Sequence, residues 1–140
     1  MINQYIINEI LGQPEEVGYI KSVTPPPTTL IEENAHANFM CDAMRVELGT
    51  DIAIWNNSGT RSFFQPGVID SRDIKDIAPF EDRVSVADVS ERKLVDFFKH
   101  AIEDTYRSQG NKPGLMAVSG MTYSVNPAES VPFGKLLICI

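Results

Sequence analysis

The short apolar run "AIW" ends in Asn56 and Asn57 and leads within a few residues to Gly59 and Arg61. An amide offers a donor and an acceptor, which suits the edge of a heterocyclic base or a ribose. Gly59 permits a close backbone approach or a positive φ, and Arg61 supplies a planar donor fork for oxygen ligands. The pattern therefore favours binding of a polar planar ligand. The same residue types also form ordinary turns, in which Asn56 would satisfy backbone groups and Arg61 would be a surface cation.

A second candidate is Phe80, which follows Pro79 in the stretch "APFEDR". Proline restricts the backbone just before the ring, so Phe80 could be held rigidly at the edge of a loop. A ring fixed in this way could stack on a base. The alternative is a core residue, which is the usual fate of a large apolar side chain.

Other reactive side chains form no recognisable constellation. His36 and His100 lie far apart, outside any metal-ligand spacing, and we expect both to be surface or packing residues. Ser58 does not lie in a GxSxG elbow, and no glycine-rich phosphate-binding loop is present. Cys41 and Cys139 form no CxxC pair and are expected to be buried free thiols. The chain by itself is therefore not expected to be catalytic.

Length and charge narrow the class of partner. The chain has 140 residues, which suits one compact domain, and a formal net charge of −7 from 19 acidic and 12 basic residues. A long nucleic acid is disfavoured because it rewards clustered cations, whereas a small anion held by one or two arginines is compatible. The apolar runs are too short to cross a bilayer, and "MINQYIINEI" does not have the pattern of a signal peptide.

The first 29 residues are expected to form a separate N-terminal segment. Helical spacing of isoleucines predicts a helix over residues 2–11, and alternation predicts a strand in "EVGYIKSV". The proline-rich stretch "TPPPTT", residues 24–29, predicts a stiff connector. We therefore place the N-terminal segment at residues 1–29 and the main domain at residues 30–140.

Three helices are expected in the main domain. The first spans residues 34–48 and ends at Gly49. Its predicted buried face consists of Ala35, Phe39, Met40, Ala43 and Met44. A brief second helix is expected to be capped by Ser71, and a longer third one to be capped by Ser90 and to end near Gly110.

Strands are expected in "DIAIW", in "RVSVADV", on both sides of Gly120 and in "KLLICI". A one-residue shift of the apolar phase next to Gly120 predicts a β-bulge there. The order of the elements predicts a mixed sheet with packed helices, in an α+β or α/β fold. The apolar final strand should lie inside the sheet or be followed by further chain.

Four stretches in register carry a resemblance to a known family. They are "EENAHANFMCDAMR", "TDIAIWNNSGTR", "DIKDIAPFEDRVSVADVSERKL" and "GLMAVSGMTYSVNP". Together they resemble the C-terminal domain of the 5′-nucleotidase family, which includes UDP-sugar hydrolases and 2′,3′-cyclic-nucleotide phosphodiesterases. The resemblance implies an α+β fold, incomplete at its C-terminal end because the chain stops before the family's second stacking aromatic residue.

The resemblance also implies a nucleoside pocket. Asn56 matches the family's ligand-contacting asparagine, Gly59 and Arg61 match its GGIR motif, and Phe80 matches the phenylalanine that stacks on the base. Two divalent metal ions and the catalytic residues belong to an N-terminal metallophosphatase domain, so no cofactor is expected in this chain. The expected partners are a nucleotide or nucleoside and that domain in cis, in a periplasmic, cell-surface or secreted parent.

The alternative is a diverged structural module that no longer binds nucleotide. In that case the apolar strand "KLLICI" could pair with another copy of the chain through its edge and form a homo-oligomer.

Overall fold

The computed structural model describes residues 13–22, 25–80, 82–107 and 114–125, and the backbone of residues 136–139. The strands are β1 (Glu16–Ile20), β2 (Ala53–Asn56), β3 (Gly67–Asp70), β4 (Met116–Ser119), β5 (Thr122–Val125) and β6 (Leu136–Cys139). The helices are α1 (Ala35–Leu48), α2 (Ser71–Ile77) and α3 (Glu91–Arg107), with a 3-10 turn over Asn57–Gly59. The α+β class is confirmed. The described strands form three antiparallel pairs, β1–β3, β2–β4 and β5–β6, where the sequence predicted one mixed sheet.

The chain folds into two compact units. The first combines Met1–Pro25 with Arg61–Phe80, and the second combines Pro26–Thr60 with Glu81–Ile140. The division into an N-terminal segment, residues 1–29, and a main domain, residues 30–140, stays a prediction. The helix predicted over residues 2–11 and the end of α3 predicted near Gly110 lie outside the described residues.

In the first unit, β1 pairs with β3, and α2 follows β3 directly. Its buried apolar side chains are Phe64, Ile69 and Ile77. The Asp70 side chain caps α2 by accepting the backbone N–H groups of Arg72 and Asp73, while the Asp73 side chain accepts the N–H of Asp70. This reciprocal capping box satisfies donors that a helix start leaves without partners.

The prediction that Ser71 caps this helix was therefore wrong by one residue. Ser71 is the first helical residue, and its hydroxyl accepts the backbone N–H of Glu15 at 3.2 Å. The Asp70 carboxylate outcompetes it as a cap because it accepts two N–H groups at once. Those hydrogen bonds lower the pKa of Asp70.

The second unit has three layers, with α1 and α3 packed on opposite faces of the β2–β4 pair. On one face, Ala37 and Cys41 of α1 pack on Ala53 and Ala117.

On the other face, Leu94, Phe98 and Ile102 of α3 form a core cluster with Met121. Ile54, Met116 and Val118 pack against that cluster. The alternation of a strand explains this division, because neighbouring residues point to opposite faces.

The extent of α1 is confirmed, but its predicted buried face was wrong. The Asn34 side chain accepts the backbone N–H groups of His36 and Ala37, and Gly49 ends the helix with φ 62°. The buried residues are His36, Ala37 and Cys41, whereas Phe39 is 48% exposed. The strands beneath α1 present alanines, so the helix approaches them through its own small side chains.

The strand predicted in "RVSVADV" is also wrong. Residues 82–90 contain no helix or strand, and Val84, Val86 and Val89 are each more than half exposed. A period-two pattern produces a strand only where another backbone pairs with it. Within the described part of the chain, no strand pairs with this segment.

Gly120 separates two strands of different sheets and does not form the predicted bulge. β4 pairs with β2, whereas β5 pairs with β6 in a second sheet. Gly120 has φ 81°, which turns the chain between the two pairs. The phase shift in the sequence thus marks the point where the chain passes from one sheet to another.

The strand predicted in "KLLICI" is confirmed as β6. None of the helices in the described ranges is long and apolar enough to cross a membrane.

Candidate functional site

Arg61 and Phe80 are brought together in the first unit. The guanidinium carbon of Arg61 lies over the Phe80 ring, 5.6 Å from its centroid, within the range of a cation–π interaction. The Arg61 backbone N–H donates to the carbonyl of Ile77 at 2.8 Å. Phe80 is 50% exposed, so it is not the core residue that the alternative interpretation expected. A half-exposed ring with a guanidinium over it therefore lies just after the end of α2.

Asn56 lies at the end of β2, in the second unit, and its side chain is exposed. Its Oδ1 accepts the hydroxyl of Ser58 at 2.8 Å, and it makes no side-chain cap to the following 3-10 turn. This local hydrogen bond engages the amide oxygen of an exposed side chain.

Gly59 is buried in the same turn and is approached closely by the chain's own tryptophan. A Cβ at this position would lie 3.0 Å from Trp55 Nε1, which donates to the Thr60 hydroxyl at 3.2 Å. The close approach that the sequence predicted for Gly59 is thus made by the indole of Trp55.

Asn57 is the buried member of the amide pair, with 2% of its surface exposed. Its Nδ2 donates to the carbonyls of Leu30 at 3.3 Å and Glu32 at 3.0 Å, and its backbone N–H donates to Leu115 at 3.2 Å. Asn57 therefore ties the segment before α1 to the end of β2. The alternation of β2 could have indicated this, because Asn57 has the same parity as the buried Ala53.

We predict that Asn57→Asp destabilises the protein by about 3 kcal/mol. The carboxylate cannot donate to the two carbonyls, and it is left buried and charged among acceptors. Urea unfolding followed by the fluorescence of Trp55, the single tryptophan, measures the loss. Asn56→Asp is the matched control, because it makes the same change one residue earlier at an exposed position. Equal destabilisation by the two variants would contradict the tethering role of Asn57.

A second tether, which the sequence analysis missed, joins α1 to β4. Arg45 Nε donates to the hydroxyl of Ser119 at 2.7 Å, and that hydroxyl donates to Asp42 Oδ1 at 2.5 Å. Ser119 is 4% exposed. The spacing of three residues between Asp42 and Arg45 places both on one side of a helix, which is the sequence feature that could have indicated a shared partner.

The described thiol and imidazoles do not form a reactive cluster. Cys41 is fully buried, and this burial, with the negative charge of Asp42 as a further cause, raises the pKa of its thiol to about 12. A protonated thiol is a poor nucleophile. His36 is buried and His100 is exposed, as packing and surface residues. The Cys139 side chain lies outside the described residues.

The resemblance implies two divalent metal ions in an N-terminal domain of a parent enzyme. In the described ranges, no group of three or more His, Cys, Asp or Glu residues is arranged to hold a metal ion. The expectation that this chain holds no cofactor stays a prediction.

The four predicted site residues fall into two pairs. Arg61 and Phe80 belong to the first unit and contact each other, whereas Asn56 and Gly59 belong to the second and lie at the end of β2. Their joint role in binding a ligand stays a prediction.

A protein-family model matches most of the chain. The model described as "5′-nucleotidase, C-terminal domain" matches residues 16–134. Comparison with curated proteins and with solved structures gave no match. The matched range contains all four stretches that carried the resemblance, in an α+β fold. Because the family model extends from β1 to beyond β5, the chain belongs to the 5′-nucleotidase C-terminal domain family.

Proposed function

We propose that this chain is the nucleotide- or nucleoside-binding domain of a 5′-nucleotidase-like phosphohydrolase. Membership of the family supports the proposal. The single observation that carries it is the half-exposed ring of Phe80 with the guanidinium of Arg61 above it. A half-exposed aromatic ring contributes little to the core, whereas together with a guanidinium it offers a ligand both a stacking surface and hydrogen-bond donors.

The geometry suits a ligand with an aromatic base and an oxygen-rich tail. The exposed ring of Phe80 can stack on a base, and base–aromatic stacking contributes about 1–3 kcal/mol. Arg61 stays charged and can donate to ribose or phosphate oxygens. Its backbone is held by the carbonyl of Ile77, a residue that is 1% exposed, so the pair stands on a packed helix end. Asn56 and Gly59 are retained as predicted contacts.

In this proposal the chain positions its ligand and does not perform the hydrolysis. The catalytic step belongs to a metal-bearing N-terminal domain in cis, which supplies two divalent ions to the phosphate. Holding a substrate in a reactive orientation can lower a barrier without any catalytic group on the holding domain. Closure of one domain on another is a common way to bring such parts together.

Titration of the chain with AMP and with adenosine, followed by NMR, tests the binding. We expect the backbone amides of Asn56, Arg61 and Phe80 to shift, and Phe80→Leu to raise the Kd about tenfold by removing the stacking ring. Phe63→Leu is the matched control, because Phe63 lies in the same unit and is 41% exposed. Millimolar AMP that moves none of these amides, or equal weakening by the two variants, would refute the proposal.

A second candidate function is self-association through β6. This strand pairs with β5 in a two-stranded sheet, and no other described strand pairs with its outer edge. Edge backbone of this kind is a template for another strand. Sedimentation velocity over a range of concentrations separates the two candidates. A monomer at every concentration would exclude self-association, whereas a dimer without nucleotide binding would favour it.

A further inference from the structure

A groove of about 590 Å³ runs beside β2 in the second unit. One wall is β2 with the end of α1, including Ile54, Met44 and Leu48. The other wall is the segment from Val84 to Val89, which has no regular secondary structure. The groove is therefore bounded by β2 on one side and, on the other, by a segment that pairs with no strand in the described part of the chain.

The backbone alternation of β2 leaves hydrogen-bonding groups on the edge away from β4, at Ile54, a residue that lines the groove. Residues 53 to 56 pair antiparallel with β4, and the N–H of Asn57 donates to Leu115 in continuation of that ladder. In an antiparallel pair, alternate residues bond to the partner strand. Asn57 and Trp55 therefore face β4, and the N–H and C=O of Ile54 face outward. Within the described part of the chain, no backbone hydrogen bond reaches Ile54 from that side.

The facing segment presents valines to solvent. Val84, Val86 and Val89 are 58%, 64% and 54% exposed. All three valines line the groove. An incoming strand would thus meet free backbone groups at Ile54 and apolar side chains on the opposite wall.

The charge of the groove restricts the occupant. The ionisable residues among those that line it are Asp51 and Asp88, one on each wall, and both are acidic. A segment that ends in Lys or Arg complements them. A second copy of this chain is less suited, because each copy has a net charge of −7.

We propose that this groove binds an extended segment of a partner polypeptide by strand addition to β2. The segment carries β-branched apolar side chains at alternate positions and a Lys or Arg at its end. Backbone hydrogen bonds to Ile54 provide affinity, and the valine wall with the two aspartates provides selectivity. This surface and its partner are independent of nucleotide binding.

The test uses the peptide acetyl-KVTVTVK-amide with the full chain. We expect binding to slow hydrogen exchange at the Ile54 amide and to change the fluorescence of the neighbouring Trp55. Two control peptides separate the contributions. N-methylation at alternate residues removes the backbone donors, and replacement of both lysines by glutamate reverses the charge. Each control should bind at least tenfold more weakly.

Val86→Lys should weaken the peptide at least tenfold, because Val86 lines the groove and its exposure lets the fold tolerate the change. Val46→Lys is the matched control, since Val46 is 73% exposed on α1 and does not line the groove. No protection of Ile54 at millimolar peptide, or equal weakening by the two variants, would overturn the proposal. So would a dimer of the free protein that Val86→Lys dissociates, because the groove would then bind a second copy.

Discussion

Replacement of Gly120 by alanine should destabilise the protein by about 3 kcal/mol. Gly120 has φ 81°, a left-handed conformation that costs an alanine about 1–2 kcal/mol. In addition, a Cβ at this position would clash with the backbone carbonyl oxygen of Asp51 and would lie 3.1 Å from Arg45 Cδ. Because the clash is with backbone, the turn between β4 and β5 or the backbone at Asp51 would have to move.

Gly49→Ala is the matched control for Gly120→Ala. Gly49 has φ 62°, so alanine meets similar backbone strain, but nothing lies within 4 Å of the added Cβ. We expect a loss of about 1 kcal/mol, which is the conformational part alone. Urea unfolding followed by Trp55 fluorescence compares the two variants. Equal losses would show that the contact with Asp51 does not restrict Gly120.

Phe98→Ala should destabilise the protein by about 4 kcal/mol. The Phe98 ring is fully buried in the cluster between α3 and the β2–β4 pair, and its centroid lies 4.9 Å from that of Tyr123. Truncation removes the largest buried side chain of this layer and leaves a cavity. The folded state therefore loses the free energy of transferring the ring out of water and also bears the cost of the cavity. Thermal unfolding monitored by circular dichroism should show a clearly lower Tm.

Phe97→Ala, one residue earlier on the same helix, controls for helix propensity and for the loss of a ring. Phe97 is 46% exposed and meets Phe98 edge to face, with ring centroids 5.4 Å apart. We expect a loss near 1 kcal/mol, from that contact and partial burial. A loss as large as that of Phe98→Ala would mean that the α3 face is assigned incorrectly.

These two predictions concern the framework behind the groove beside β2. The cluster around Phe98 supports the face of β2 that carries Ile54, and Gly120 lies directly after β4, the strand that pairs with β2. A variant that lowers stability at either position should therefore weaken peptide binding at β2 through unfolding. Val86→Lys should weaken it in a protein of unchanged stability, and this difference separates a groove contact from a loss of fold.

Several features of this protein could be predicted from the sequence because their causes are local. Asn34 and Gly49 determine where α1 begins and ends, through side-chain and backbone hydrogen bonds within one turn of the helix. The strands β1, β2 and β6 were recognisable from short apolar or alternating runs. The family was recognisable because four motifs occur in order along one chain, and order is a property of sequence.

The tertiary structure decided which side chains are buried and which strands form, because burial and pairing depend on parts of the chain that are distant in sequence. The buried face of α1 depends on the alanines of β2 and β4 beneath it, and Phe39 is left exposed. Asn57 lies inward because the carbonyls of Leu30 and Glu32 are there to accept its amide, while its neighbour Asn56 faces solvent. The run "RVSVADV" has the alternation of a strand. A hydrogen-bonded ladder also requires a second strand beside it, and the alternation of one segment does not provide that partner.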